Sequence, residues 1–194
     1  MQNVIKTDRL TTERLVLRHF NFDDAPRVRA LVGNWKVARM LARVAYPYGD
    51  GLAEQWIASH ERARAEGKAF PFAIEHQGEL VGCVGLDADA DDNATPEQAY
   101  EMGYWIGEPY WNRGFATEAG RALVRHAFEK SPVDRLTAGH LVENHASGSV
   151  LTKLGFRYIA ETQLWSEARH EKVHALRMVL KRDAAAKAAL ESRK

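Results

Sequence analysis

Polar and apolar residues alternate over residues 14–19 (RLVLRH), a period of two that predicts a strand. The preceding residues 1–12 carry no periodicity and read as a loose lead-in. Residues 21–24 (NFDD) supply capping side chains for a helix running to Val32, and helical character continues over residues 35–43. Pro and Gly in residues 46–51 (YPYGDG) break the chain. Leu52, Trp56, Ile57 and Ala63 fall at helical spacing and predict a helix over residues 52–66 that stops at Gly67. Residues 70–75 and 79–86 read as strands joined by a tight hairpin at residues 76–78. Residues 87–98 (DADADDNATPEQ) are acidic, aperiodic and contain Pro96, which predicts an exposed loop. The aromatic run at residues 99–106 (AYEMGYWI) predicts a strand, followed by a helix from Thr117 to about Lys130. Strands at 135–142, 156–160 and 173–180 flank a short helix at 146–154 that ends at Gly155. The pattern predicts a mixed α/β (α+β) fold, with helices on a largely antiparallel sheet. It also predicts a single domain over residues 1–183 and an Ala-rich, frayed tail over 184–194.

The segment richest in chemistry is the passage from Tyr104-Trp105-Ile106 through residues 107–116 (GEPYWNRGFA) into the helix. A helix N-terminus presents unpaired N–H groups and the positive end of its dipole. Gly114 allows close backbone approach, Ala116 adds little bulk, Arg113 adds a positive charge and Thr117 adds a hydroxyl. Together they suit a phosphate or pyrophosphate; a plain glycine turn into a helix has the same local pattern. Neither Gly-x-x-x-x-Gly-Lys-Ser/Thr nor Gly-x-Gly-x-x-Gly occurs, which argues against P-loop and Rossmann nucleotide sites.

Composition narrows the classes. The 194 residues are 45% hydrophobic and 27% charged, with a net charge of +1, so no nucleic-acid footprint follows from charge. One cysteine, Cys83, excludes an internal disulfide and a multi-cysteine metal site, and it reads as core packing. No apolar run approaches the ~20 residues of a membrane span, and the polar N-terminus lacks a signal-peptide core. The expectation is a cytoplasmic protein with no membrane partner.

Residues 143–156 (ENHASGSVLTKLGF), taken with residues 101–119 (EMGYWIGEPYWNRGFATEA), closely resemble the GNAT superfamily of acyl-CoA-dependent N-acetyltransferases. The nearest branch resembles the Rim-type enzymes that acetylate ribosomal-protein N-termini. The resemblance runs from Thr12 to about Leu180. It implies a GNAT-like sheet, acetyl-CoA as co-substrate, no metal, and transfer of acetyl to a primary amine by direct attack with general-base assistance. The acceptor it implies is a protein N-terminus or a small-molecule amine. A transferase using a longer acyl-CoA and a non-catalytic acyl-CoA sensor are the alternatives, and the chain is a monomer or a homodimer.

The resemblance also assigns residues. It places the pantetheine arm along residues 102–106, with an oxyanion met by a backbone N–H near Trp105 or Ile106. It places the pyrophosphate on Trp111, Asn112, Arg113 and Gly114, continuing through Phe115, Ala116 and Thr117. Trp111 stands where Gln or Arg is common. Asn144 matches a cofactor-contacting Asn, although an Asx turn is its plain structural reading. Thr152 occupies the position of the Tyr acid of many relatives, so Ser147 is the candidate donor to the departing sulfur; helix N-capping is the other reading. Glu101 is the first candidate base, with Glu143 and His140 behind it. Trp35 and Tyr46, from a region that also holds Met40 and Tyr48, are the candidate acceptor-pocket residues. His170-Glu171-Lys172-Val173-His174 matches His-Glu-x-x-His, but the following alternation is that of a strand. Its two histidines then stand about 13 Å apart, too far for one zinc.

Overall fold

The computed structural model describes residues 7–88 and 99–183. Among the described residues eight strands form one sheet: β1 (Arg9–Thr11), β2 (Val16–Arg18), β3 (Ala69–His76), β4 (Glu79–Ala88), β5 (Ala99–Ile106), β6 (Arg135–Leu141), β7 (Arg157–Ser166) and β8 (Glu171–Lys181). Their order across the sheet is β1-β2-β3-β4-β5-β6-β8-β7, and the β5–β6 pair alone is parallel. That pair is joined by a crossover through α4 (Phe115–Lys130), as parallel neighbours require.

Strand side chains alternate, so the central strands feed two cores. On one face Val84, Leu86, Tyr100 and Met102 pack with Phe115, Ala119 and Leu123 of α4 and with Leu151 of α5 (His145–Lys153). On the other face Ala73 and Cys83 pack with Val28 and Val32 of α1 (Ala25–Val32) and Ile57 of α3 (Leu52–Ala65). A two-faced burial explains the near-continuous apolar run of β4. Burial also pushes the Cys83 thiol far up, consistent with packing and not with a nucleophile.

The hairpin, the stop at Gly67 and the sheet-with-helices plan appear as the pattern predicts; Gln77 and Gly78 both take positive φ in the turn between β3 and β4. Several boundaries move. Part of the lead-in forms β1, a short edge strand made by pairing with β2 and not by any local period. Helix α2 (Trp35–Ala38) is a single turn and does not reach Arg43. Asp87 lies in β4, opposite Glu101, so that end of the acidic run is strand and not loop. Residues 89–98 and the tail 184–194 lie outside the described residues. Helix α4 begins at Phe115, two residues before Thr117, because Gly114 adopts φ 79° and ends the loop there. Strand β7 runs on to Ser166; its residues are mostly exposed, so no apolar alternation marked its length.

His60 of α3 is 4% exposed between Phe20 and Trp56, with neither ring nitrogen hydrogen-bonded to a described residue. Burial, with Arg64 and His19 nearby, lowers its pKa from 6.5 to about 4. Above pH 6.5 the ring is largely neutral in both states and adds no pH-dependent cost. Between pH 6.5 and 4 the unfolded chain takes up a proton that the folded chain refuses, so stability falls by about 3 kcal/mol across that window. His60→Leu is expected to remove that part of the acid sensitivity. Urea unfolding at pH 7 and pH 4 checks it: equal pH dependence in the two proteins refutes the assignment.

Candidate active site

Parallel pairing of β5 with β6 ends at Met102 opposite Ala138, yet β5 continues to Ile106 and β6 to Leu141. The two strands therefore splay, leaving the β6-facing backbone of Tyr104–Ile106 without its ladder partner. The Gly107 N–H donates to Val81 O on the β4 side. By alternation Trp105 also turns its peptide groups to β4, whereas Tyr104 and Ile106 turn theirs into the gap. The Trp105 side chain lies on the α1–α3 face. Gly103 sits at the splay with no described atom within 4 Å of where a Cβ would stand.

The loop below the gap is laced to β5 by Trp111, whose indole Nε1 donates to Ile106 O at 2.6 Å. Asn112 (φ 61°) and Gly114 (φ 79°) are both left-handed, a curl of the kind that aims successive N–H groups into one concavity. Gly114 brings no capping side chain, so the first N–H groups of α4, those of Phe115, Ala116 and Thr117, face outward without a side-chain cap. The Arg113 guanidinium lies over the Tyr110 ring, 5.6 Å from its centroid.

A carboxylate, Glu118, sits in that same first turn and would oppose an anion. It is neutralised from a distant part of the chain. Arg14 Nη2 is 2.6 Å away, while the Thr12 hydroxyl (2.6 Å) and the Arg14 backbone N–H (2.9 Å) donate to it. Burial alone would raise the Glu118 pKa; these hydrogen bonds hold it below the ordinary value. Arg14 also donates to Arg113 O at 3.0 Å, tying the loop in place. The sequence offers no local signal for the role of Arg14.

On the α4–α5 face of the gap, the Tyr104 hydroxyl lies 2.7 Å from Ser147 Oγ and 3.1 Å from Ser147 O. Burial pushes the Tyr104 pKa up to about 12, against the opposing effect of the Ser147 hydrogen bond, so the phenol stays protonated. Asn144 caps α5 through Oδ1, accepting from the Ser147 N–H at 3.1 Å. The cap is thus made by Asn144 and not by Ser147. It leaves the Asn144 amide NH2 as that side chain's remaining donor.

On the opposite face, Glu101 shares its side with Gly103 and lies across from Asp87. Arg43 joins them, 3.5 Å from Glu101 Oε2 and 3.2 Å from Asp87 Oδ2. Burial raises the Asp87 pKa, and Arg43 offsets part of the rise. The other two carboxylate or imidazole candidates are engaged elsewhere. Glu143 is held by Arg169 and Arg39, and His140 is hydrogen-bonded at Nδ1 to Leu141 O and at Nε2 to Tyr158.

Trp35 and Tyr46 pack with ring centroids 4.9 Å apart and planes tilted by 56°, both partly exposed. Trp35 lines an open groove of about 410 Å³ with Arg39, Ala168, Arg169 and Glu171. The groove forms because the β7–β8 turn straps onto the segment after α2: Glu167 N–H donates to Ala42 O, and Arg169 Nε to Arg39 O. His170 lies in that turn and His174 on β8, so the two share no helix face; among the described residues no group of three metal-ligating side chains occurs. Nor, among the described residues, is any helix long and apolar enough to cross a membrane.

The family model described as "Acetyltransferase (GNAT) domain" matches residues 14–157. An uncharacterized N-acetyltransferase of Bacillus subtilis, YnaD, is 26% identical over 148 residues, covering 76% of this chain and 82% of that protein. The [ribosomal protein uS5]-alanine N-acetyltransferase of Escherichia coli is 27% identical over 157 residues, covering 76% and 77% respectively. Among solved structures, Mycobacterium smegmatis RimJ in complex with CoA-disulfide superposes with a TM-score of 0.73 at 20% identity, covering 92% of this chain and 90% of that one, which is a likeness of fold. A strand pair that parts above an uncapped helix, together with a family match spanning most of the sequence, leads to one conclusion: the chain belongs to the GNAT family of acetyltransferases.

Proposed function

We propose that the chain transfers the acetyl group of acetyl-CoA to a primary amine in the β5–β6 gap, with Glu101 as base and Ser147 as donor to the leaving sulfur. The observation that carries this reading is the placement of those two side chains on opposite faces of one splayed strand pair. The gap fits the co-substrate on three counts: an open peptide at Tyr104 beside the open N–H of Ile106, whose carbonyl Trp111 occupies; an uncapped α4 with left-handed Gly114; and space over Gly103 with no described atom within 4 Å of a Cβ position. The α4 N–H groups of Phe115, Ala116 and Thr117 hold the diphosphate, with Arg113 and the backbone of Trp111 and Asn112 completing the curl. Tyr104, Ile106 and the Asn144 amide hold the pantetheine arm. When bound, acetyl-CoA supplies a thioester carbonyl as electrophile and a thiolate as leaving group.

The residues then divide the proton traffic. An α-amino group has a pKa near 8 and a lysine amine near 10.4, so the acceptor arrives mostly protonated. Glu101 takes that proton, directly or through water, from the face it shares with Arg43 and Asp87. The N–H of Ile106 or Tyr104 stabilises the developing oxyanion. On the far face this role of Ser147 requires Tyr104 to turn its single hydrogen from Ser147 O to the nearer Ser147 Oγ, so that the Ser147 hydrogen is left to point toward the sulfur. The aromatic Trp35–Tyr46 pair and the groove beside it receive the acceptor. A protein N-terminus is the favoured acceptor, supported by the likeness to the uS5 enzyme.

Free thiol released from acetyl-CoA, measured against a panel of N-terminal peptides and small amines, tests the activity; release no faster than the no-amine blank overturns it. For the donor, Ser147→Ala is expected to lower kcat about tenfold to a hundredfold, the worth of one hydrogen bond to a charged group. The affinity for coenzyme A should stay unchanged, because Asn144 and not Ser147 caps α5. An unchanged kcat removes Ser147 from the mechanism.

A further inference from the structure

Strand β7 is an anomaly of burial. Of its ten residues only Ser166 is buried, and three large apolar side chains stand exposed: Tyr158, Ile159 and Trp165. Among the described residues it lies at the end of the sheet and pairs with β8 alone. Its outer edge therefore presents a long row of backbone donors and acceptors beside an apolar surface, the combination that templates another strand.

The geometry points to β7 as the contact between two copies of this chain, paired antiparallel across a two-fold axis at Thr162. The register supports a copy over an unrelated strand. Strand residues that face each other must lie on the same side of the sheet. Pairing within β7–β8 sets those sides. Tyr158, Glu161, Gln163 and Trp165 lie opposite Met178, Leu176, His174 and Lys172, on the α5 side; Arg157, Ala160, Thr162, Leu164 and Ser166 lie on the other. The ladder slips between Tyr158 and Ala160, so Ile159 is an extra, bulged residue.

An axis at Thr162 then sets Thr162 against itself, Glu161 against Gln163 and Ala160 against Leu164. Past the bulge it sets Tyr158 against Trp165 and Arg157 against Ser166. Every pair shares a side. No like charges meet, a carboxylate faces an amide, and two aromatic pairs form, each a favourable cross-strand combination. Moving the axis to Glu161 opposes two carboxylates. Placing it between Glu161 and Thr162 opposes residues from different sides. The bulge, which would spoil pairing with a regular strand, is what brings Tyr158 into line with Trp165. The two sheets thereby become one of sixteen strands.

Sedimentation equilibrium over a concentration series tests the contact, with a mass rising from 21.8 kDa toward twice that value as the expected result. Thr162→Asp and Thr162→Lys each set like charges across the axis and are expected to weaken association about tenfold. An equimolar mixture of the two is expected to restore it. Trp165→Ser is expected to weaken association too, and unchanged thermal melting of each variant at a concentration where the wild type is monomeric separates this from misfolding. A wild type that stays monomeric throughout overturns the inference, as does a dimer indifferent to all three substitutions or a charge-swapped mixture that fails to associate.

Discussion

Replacing Glu101 by Gln is expected to lower kcat by about 10²- to 10⁴-fold, the range for loss of a positioned base. Gln keeps the size and polar contacts of the side chain but cannot accept the proton of the incoming ammonium. Affinity for acetyl-CoA should hardly change, since the proposed diphosphate and pantetheine contacts come from the α4 turn and from the peptide groups of Tyr104 and Ile106. The deficit should shrink as pH rises toward the pKa of the acceptor, near 8 for an α-amine, because more of the amine then arrives already neutral. Steady-state kcat measured against pH for both proteins reads this directly. Asp87 supplies the necessary comparison, for it stands opposite Glu101 on the same Arg43. If Asp87→Asn abolishes turnover and Glu101→Gln leaves it intact, the base is Asp87.

The second large effect is expected at Gly114. A side chain at φ 79° is strained, β-branched side chains most of all, and the new Cβ would also approach Arg14 Nη2 at 3.4 Å. Gly114→Val is expected to rebuild the turn that starts α4 and to weaken coenzyme A binding about tenfold to a hundredfold, the equivalent of about 1.4–2.8 kcal/mol of lost contacts. Gly114→Asn should be milder, because Asn tolerates left-handed backbone. Gly67 is the matched control: it too has positive φ (71°), and no described atom lies within 4 Å of its Cβ position, but it lies after α3 and away from the gap. Gly67→Val should cost stability alone. Calorimetric titration with coenzyme A separates the cases, and equal affinity for Gly114→Val and wild type would falsify the anion turn.

Residues 107–117 were legible as a glycine turn leading into a helix because the signal is local: a left-handed glycine depends on the residue itself. The strands of the two-faced core were legible for the same reason, through their apolar runs. The short β1, the exposed β7 and the true start of α4 were not. Edge strands are made by pairing, and a helix begins where one backbone angle changes sign. The candidate site divides along the same line. Glu101, Ser147 and Asn144 can be singled out by motif and resemblance, and Trp35 and Tyr46 by the region they stand in, yet no pattern pointed to the Tyr104 hydroxyl, Arg43, Asp87 or Arg14 as partners.

Those four act through partners far away in sequence. Tyr104 meets Ser147 across 43 positions, and Arg14 meets Glu118 across 104. Arg43 reaches Asp87 and Glu101 from the segment strapped down by the β7–β8 turn. Local chemistry in the amino-acid order settled the fold class, the family and the presence of a glycine turn before α4, because propensity, periodicity and motif act over a few residues. The parting of β5 from β6, the neutralisation of Glu118 and the placing of Glu101 and Ser147 on opposite faces needed the folded chain, because each depends on strand register and on contacts that exist only once distant segments pack.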